Sequence, residues 1–182
     1  FISIWLARYL GPNQFGLLSY AISFSGLFTV IASFGLDGII VRELVKSPDR
    51  LNTLLGTSYF LRLLGACISL LILSIFVNFT PNDHQTNILI FIIASSTIFQ
   101  SFNVIDFYFQ SKVLSKYVVF SNTISLFFSS LLKIILILNG GELIHFAIVI
   151  LFDSIILAAG FIYFYYYNSL SINKWLFNFS LA

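Results

Sequence analysis

Two charged side chains inside apolar segments are the residues of this sequence with the most evident chemistry. Asp153 lies near the middle of the apolar segment 143–167, and Lys133 lies in the preceding segment, 118–138. An ionisable side chain deep in a membrane costs roughly 2.5–3.5 kcal/mol on insertion scales, so it needs a partner or a water-filled cavity. The tight turn 139–142, Asn-Gly-Gly-Glu, predicts that the two segments are antiparallel neighbours. We therefore expect Lys133 and Asp153 to meet, either as a structural ion pair or in a solvated cavity that holds substrate or carries a proton.

A set of cations offers a second chemistry, the binding of an anionic ligand such as a diphosphate. Arginine suits such a ligand because its guanidinium group donates bidentate hydrogen bonds. The candidate substrate-binding residues are Arg8, Arg42, Arg62 and Lys133. Each also has a simpler interpretation as a surface anchor. Arg62, in the first or second turn of its predicted helix, can extend its side chain to the lipid headgroups.

Two acids complete the candidate residues, Asp106 and Asp153, which are possible coupling or cavity residues. Asp106 lies near the end of the apolar segment 88–109, and we predict that it forms an interfacial ion pair with Lys112.

Signatures of catalysis are missing from the sequence. It contains no paired carboxylates on an outer loop, no Gly-rich phosphate cradle, no Ser or Cys nucleophile placed with a His, and no cluster with metal-ligand spacing. We therefore expect a protein that is not an enzyme, with no catalytic residue, no metal and no cofactor. The net charge of +2 is too small to indicate a nucleic-acid partner.

Composition predicts the elements that position these residues. The chain is 59% hydrophobic and only 9% charged, whereas charged residues are about a quarter of a soluble domain. We therefore predict an all-α integral membrane protein, a multi-helix transmembrane bundle in the lipid bilayer. The predicted spans are the end of one before Arg8, then 15–36, 58–79, 88–109, 118–138 and 143–167. The charged stretch 37–57 predicts a short interfacial helix and a turn.

The predicted domain organisation is one N-terminal transmembrane lobe, 1–167, followed by a cytoplasmic linker, 168–182, that leads to a further transmembrane helix. The apolar start at Phe1 and the lack of any methionine predict that the first helix is truncated.

The distribution of Lys and Arg predicts the orientation of the bundle. Successive connections fall on opposite sides of a membrane, and the cytoplasmic ones carry the excess of cations. One set of connections contains Arg42, Lys46, Arg50, Lys112, Lys116 and Lys174. The other set, 11–14, 80–85 and 139–142, contains no Lys or Arg, with only Arg8 nearby. We therefore predict that 42–50, 112–116 and the C-terminal tail are cytoplasmic.

Three stretches of the sequence resemble the Wzx-type O-antigen and polysaccharide flippases of the MATE/MOP transporter superfamily. They are ARYLGPNQFGLLSY at 7–20, FGLDGIIVREL at 34–44 and, more weakly, DFYFQ at 106–110. The resemblance implies two six-helix lobes, of which this chain is the first. It also implies a transporter that works by alternating access in the bacterial inner (plasma) membrane, where it moves undecaprenyl-diphosphate-linked oligosaccharide repeat units, with a cationic interior that meets the diphosphate. Other membrane proteins of polysaccharide assembly are its expected partners.

Other functions remain open at this point. A MATE-type drug or cation antiporter would prefer an acidic cavity, with Asp153 at its centre. A membrane-embedded glycan polymerase or transferase would need a large loop with catalytic groups, and none occurs in 1–182. A passive scaffold has little reason to keep Asp153.

Overall fold

Helices make up almost the whole of the computed structural model, which describes residues 2–33, 35, 37–80 and 82–178. No strand occurs within those ranges. The seven α-helices are α1 (Ile2–Ser33), α2 (Asp37–Lys46), α3 (Leu51–Phe79), α4 (His84–Gln100), α5 (Val104–Ser111), α6 (Ser115–Leu138) and α7 (Leu143–Tyr167). Short 3-10 helices occupy Pro48–Arg50, Ser101–Asn103 and Ile172–Lys174. The predicted end of the second span at Leu36, Pro81 of the loop 80–85, and 179–182 of the linker lie outside the described residues.

Four helical segments in the described part of the chain are long and apolar enough to cross a membrane. They are Pro48–Phe79, His84–Ser111, Ser115–Leu138 and Leu143–Tyr167. The chain is therefore a multi-pass membrane bundle, as predicted. The predicted span before Arg8 lies in the first arm of α1, and 15–33 of the predicted span 15–36 lie in the second arm.

A break at Gly11 divides α1 into these arms. Gly11 has φ 72° and ψ 171°, a conformation that glycine adopts without the steric cost of a Cβ. Pro12 follows at once and starts the second arm, where its missing N–H would be unpaired in any case. The predicted four-residue turn at 11–14 is wrong, because the helix resumes directly after the glycine.

α2 is amphipathic and packs against the bundle through Ile40 and Leu44, one turn apart and both buried. Asp37 lies in its first turn and Lys46 in its last, where their charges match the helix dipole. Gly35, with φ 63°, lies in the connection from α1. The predicted short helix after residue 37 is confirmed, but it ends at Lys46 and the chain re-enters helix well before residue 57.

α3 begins at Leu51, about two turns earlier than predicted. The polar residues at its start suggested a loop, but the C-terminal tail covers them. The backbone N–H of Leu176 donates to the carbonyl oxygen of Asn52 at 3.2 Å. That of Asn178 donates to Oγ1 of Thr57 at 3.1 Å. Because the tail shields the start of α3, this helix tolerates polar residues that a lipid-facing helix would not.

The tail approaches α3 most closely at Gly56. A Cβ at this position would lie 2.6 Å from the carbonyl oxygen of Leu176, so only glycine fits. The neighbouring Trp175 donates from Nε1 to the hydroxyl of Tyr165 at 3.0 Å, and its ring contacts that of Tyr59, with centroids 5.4 Å apart. These contacts bind the tail to α3 and α7.

The connections separate into two groups at opposite ends of the bundle. At one end, the hydroxyl of Tyr9, just before the Gly11 break, donates to the carbonyl oxygen of Gly141 at 3.1 Å. At the other end, α2, the start of α6 and the tail share one hydrophobic cluster with α5. This grouping agrees with the predicted alternation of loops, whereas the side that faces the cytoplasm stays a prediction.

Candidate functional site

A polar chamber lies between α2, α3 and the junction of α4 with α5. Its volume is about 530 Å³. Its charged and amide residues are Asp37, Arg42, Arg62, Asn103, Asp106 and Gln110. Three of the predicted site residues, Arg42, Arg62 and Asp106, therefore lie together, and the remaining three do not join them.

Arg62 is the central side chain of the chamber. Only 8% of the side chain is exposed, and it forms an ion pair with Asp37 of α2. Its guanidinium carbon lies 4.7 Å from the ring centroid of Phe107 on α5, a distance typical of a cation–π contact. α2 and α5 thus hold one arginine of α3 from two sides.

The prediction that Arg62 extends to the lipid headgroups is wrong. Because α3 begins at Leu51, Arg62 is about 16 Å along the helix at 1.5 Å per residue. Breaking a fully buried ion pair costs about 3–5 kcal/mol because it leaves a charge uncompensated. The half-exposed Asp37 places this pair below that range, and the buried Arg62 lines the chamber instead of extending to the membrane surface.

Asp106 forms the acidic wall of the chamber. Its carboxylate is close enough to interact with the charges of Arg62 and Asp37, and it lines the chamber together with Gln110. Its Oδ1 is buried and has no hydrogen-bond partner among the residues described. The predicted interfacial pair with Lys112 does not form, since Asp106 faces into the bundle.

Arg42 lies at the rim of the chamber and is mostly exposed. Its Nε is 3.6 Å from Oε1 of Glu43, which also lies 3.7 Å from Nζ of Lys46. Exposed pairs of this kind contribute about 0–1 kcal/mol. Arg42 is therefore free to turn towards a ligand at little cost.

A short 3-10 segment joins α4 to α5 beside the chamber, which Asn103 and Asp106 line. The 3-10 turn Ser101–Asn103 lies between the two helices and begins directly after Gln100. Behind Arg62 lies a second cavity of about 20 Å³, lined in part by Ser101, which is room for about one water. Nε of Arg62 and Oγ of Ser101 both lack a partner in the described ranges. The guanidinium group thus borders polar space on two sides.

Lys133 and Asp153 do not form the predicted ion pair. Oγ of Ser125 lies 2.5 Å from Oδ1 of Asp153 and 2.8 Å from its carbonyl oxygen. The small side chains of Ser121, Ser125 and Ser129, four residues apart and all buried, let α6 and α7 pack closely. A neutral hydroxyl therefore takes the position in which we expected an ammonium group.

Arg8 is separate from the chamber. It is exposed and lies on a groove of about 510 Å³ between the two arms of α1, together with Ile4 and Phe15. The predicted cations thus do not line one common interior.

Sequence reasoning missed Asp37, Asn103 and Gln110 as chamber residues. Two signals were present. Asp37 starts an amphipathic helix, and Gln110 follows Asp106 by four residues, so that both lie on one face of a helix. No local sequence pattern predicts that α2 folds back over α3.

Comparisons with known proteins give one match. A family model described as "Polysaccharide biosynthesis protein" matches residues 2–182. Searches of curated proteins and of solved structures return no match.

Proposed function

Because the chain belongs to the polysaccharide biosynthesis protein family, we propose that it is part of a flippase for lipid-linked oligosaccharides. The proposed substrate is an undecaprenyl-diphosphate-linked repeat unit of O-antigen or another surface polysaccharide. The proposed site of action is the bacterial inner membrane, and the transport step makes and breaks no covalent bond. Other membrane proteins of polysaccharide assembly are the proposed partners.

One observation carries the proposal, the buried Arg62 beside a chamber inside a bundle of membrane-spanning helices. A diphosphate head group carries its charge on oxygens that accept bidentate hydrogen bonds from arginine. Arg62 is held in place by α2 and α5, and Arg42 at the rim offers a second guanidinium group. These two residues are the proposed diphosphate ligands.

The proposed transport mechanism is alternating access, with this chain as one lobe of a Wzx-type, MATE-like pair of lobes. Substrate sites of such transporters lie between repeats near the bilayer centre, and discontinuous helices border them. The 3-10 segment Ser101–Asn103 supports this assignment, because it interrupts the regular α-helix within a candidate membrane span and Asn103 lines the chamber. It is the proposed hinge.

The proposed orientation places α2, 112–116 and the tail in the cytoplasm, following the excess of Lys and Arg at that end. The chamber then lies towards the cytoplasmic side, where a lipid-linked precursor would enter.

The test is surface polysaccharide produced by cells whose only copy of the full-length protein carries Arg62→Ala, with Lys133→Ala and Arg8→Ala as matched controls at equal membrane abundance. A charged hydrogen bond contributes about 1.5–3 kcal/mol, which corresponds to about 10- to 100-fold in binding. We expect Arg62→Ala to lower surface polysaccharide at least tenfold and both controls to retain most of it. Normal output from Arg62→Ala would refute the role of the chamber.

A second candidate function, a cation or drug antiporter, is favoured by one observation. Asp106 presents a buried carboxylate oxygen without a partner within the described residues, and an ammonium group would satisfy it. Its centre would be Asp106, not Asp153, which is already bound to Ser125. Loss of drug export in Asp106→Asn would support this function, and unchanged surface polysaccharide in cells that lack the whole protein would exclude the flippase.

A further inference from the structure

The ion pair between Asp37 and Arg62 is markedly unequal in burial. The Asp37 side chain is 57% exposed, whereas that of Arg62 is 8% exposed. If the pair opens, Asp37 is hydrated at once, but Arg62 stays in the interior without a counter-ion. Leaving one buried charge unpaired is strongly unfavourable. The pair is therefore stable against simple opening and susceptible to exchange, in which another anion replaces Asp37.

The charges of the chamber point to the same conclusion. Two arginines, Arg42 and Arg62, face two carboxylates, Asp37 and Asp106, so that the lining is formally neutral. A neutral chamber does not attract a diphosphate strongly. Once Asp37 leaves, the lining gains one net positive charge while Arg62 is still held by the ring of Phe107.

We propose that Asp37 is an exchangeable counter-ion of Arg62, which the anionic head group of the substrate displaces on binding and which returns to Arg62 when the substrate leaves. Asp37 is thus a positioning and specificity residue of the diphosphate site, and this inference rests on the proposed function. It assigns opposite effects to two residues of one ion pair, since Arg62 promotes binding and Asp37 opposes it.

The position of Asp37 on α2 connects this exchange to a movement. Asp37 lies in the first turn of α2, which is anchored to the cluster around α5 by Ile40 and Leu44 further along the helix. Release of Asp37 removes the only ion pair between α2 and α3 among the described residues. The start of α2 is then free to leave the chamber while its second turn stays packed.

The test is equilibrium binding of geranylgeranyl diphosphate to the purified full-length protein in lipid nanodiscs. The neutral variant Asp37→Asn removes the competing charge at nearly constant shape, and Asp106→Asn removes the second one. Asp49→Asn is the matched control, because Asp49 lies close in sequence on the exposed turn Pro48–Arg50 and does not line the chamber. Asp37→Glu restores the charge. Inorganic diphosphate, measured alone, separates recognition of the head group from that of the lipid.

We expect Asp37→Asn to bind the probe about tenfold more tightly than wild type, Asp106→Asn to bind it more tightly by a smaller factor, and Asp49→Asn and Asp37→Glu to match wild type. Surface polysaccharide should fall in Asp37→Asn, because tighter binding without a returning counter-ion slows release. If Asp37→Asn is not monodisperse, Asp37→Ser is measured in its place.

Equal or weaker binding by the neutral Asp37 variants, with binding still lost in Arg62→Gln, would overturn the counter-ion exchange and leave the flippase proposal standing. Wild-type binding no stronger than that of Arg62→Gln would overturn both. Binding of inorganic diphosphate as tight as that of the lipid probe would identify a phosphate site with no lipid recognition, and the exchange would then apply to that anion.

Discussion

The chamber around Arg62 and the contact between α6 and α7 around Asp153 are two solutions to the same problem, an ionisable side chain inside a membrane bundle. Arg62 meets a carboxylate from α2 and an aromatic ring from α5. Asp153 meets the hydroxyl of Ser125 on the adjacent helix. The first site borders a cavity of about 530 Å³, whereas the second is a direct hydrogen-bonded contact between two helices.

The two sites differ in what their charged side chains can do: one can bind a ligand, and the other stabilises helix packing. A charge that borders a cavity and keeps an exchangeable partner can bind a ligand. A carboxylate that already accepts a hydrogen bond in a close helix contact holds the helices together. The chamber is therefore the region to which we assign the proposed binding site, and the contact of α6 with α7 stabilises the packing of the two helices.

The largest effect should follow from displacing the C-terminal tail from the start of α3. Gly56→Ala places a methyl group 2.6 Å from the carbonyl oxygen of Leu176, and crowding of this kind costs about 1–3 kcal/mol. We expect the tail to leave the start of α3, a loss of about 2–3 kcal/mol in the free energy of unfolding, and a red shift in the fluorescence of Trp175.

Gly26→Ala in α1 is the control, because a Cβ there has no neighbour within 4 Å in the described part of the chain. Alanine at an open helical position stabilises by roughly 0.5–1 kcal/mol, so the two substitutions should change stability in opposite directions. Equal effects would show that the tail does not rest on Gly56.

An intermediate effect should follow from the contact between α6 and α7. Ser125→Ala removes the donor to Asp153, and we expect a loss of about 1 kcal/mol in unfolding free energy, the usual contribution of one hydrogen bond. Asp153→Asn should cost less, because the amide oxygen still accepts from Ser125. Diphosphate binding should be unchanged in both, and a large loss of binding in either would place Asp153 in the ligand site.

The smallest effect should come from the exposed pairs at the rim. Glu43→Gln removes the acceptor of Arg42 and Lys46, and we expect a change within about 0.5 kcal/mol in unfolding free energy. A loss above about 1 kcal/mol, measured by the same unfolding assay, would show that Arg42 is fixed at the rim and not free to meet a ligand.

The two sites also differ in how far the sequence predicts them. The lengths of the apolar segments predict the helices, and the turn at 139–142 correctly predicts that α6 and α7 are neighbours. The partner of Asp153 was not predictable, because helix rotation decides whether Lys133 or Ser125 faces it, and both lie on α6.

The chamber is harder to predict because distant segments create it. The start of α3 looks like a loop unless the tail, more than 100 residues later, is known to cover it. An error of two turns in that start changes Arg62 from a surface anchor into a buried charge. The burial of Arg62 therefore depends on the contact between the tail and α3, which no local sequence pattern predicts.

The most direct test of the account compares two cations by one measurement, the affinity of the purified full-length protein for geranylgeranyl diphosphate. Arg62→Gln and Lys133→Gln each remove one positive charge from a membrane-spanning helix. We expect at least a tenfold loss of affinity in Arg62→Gln and wild-type affinity in Lys133→Gln. Equal losses in the two variants, or a loss only in Lys133→Gln, would contradict the assignment of the chamber as the ligand site.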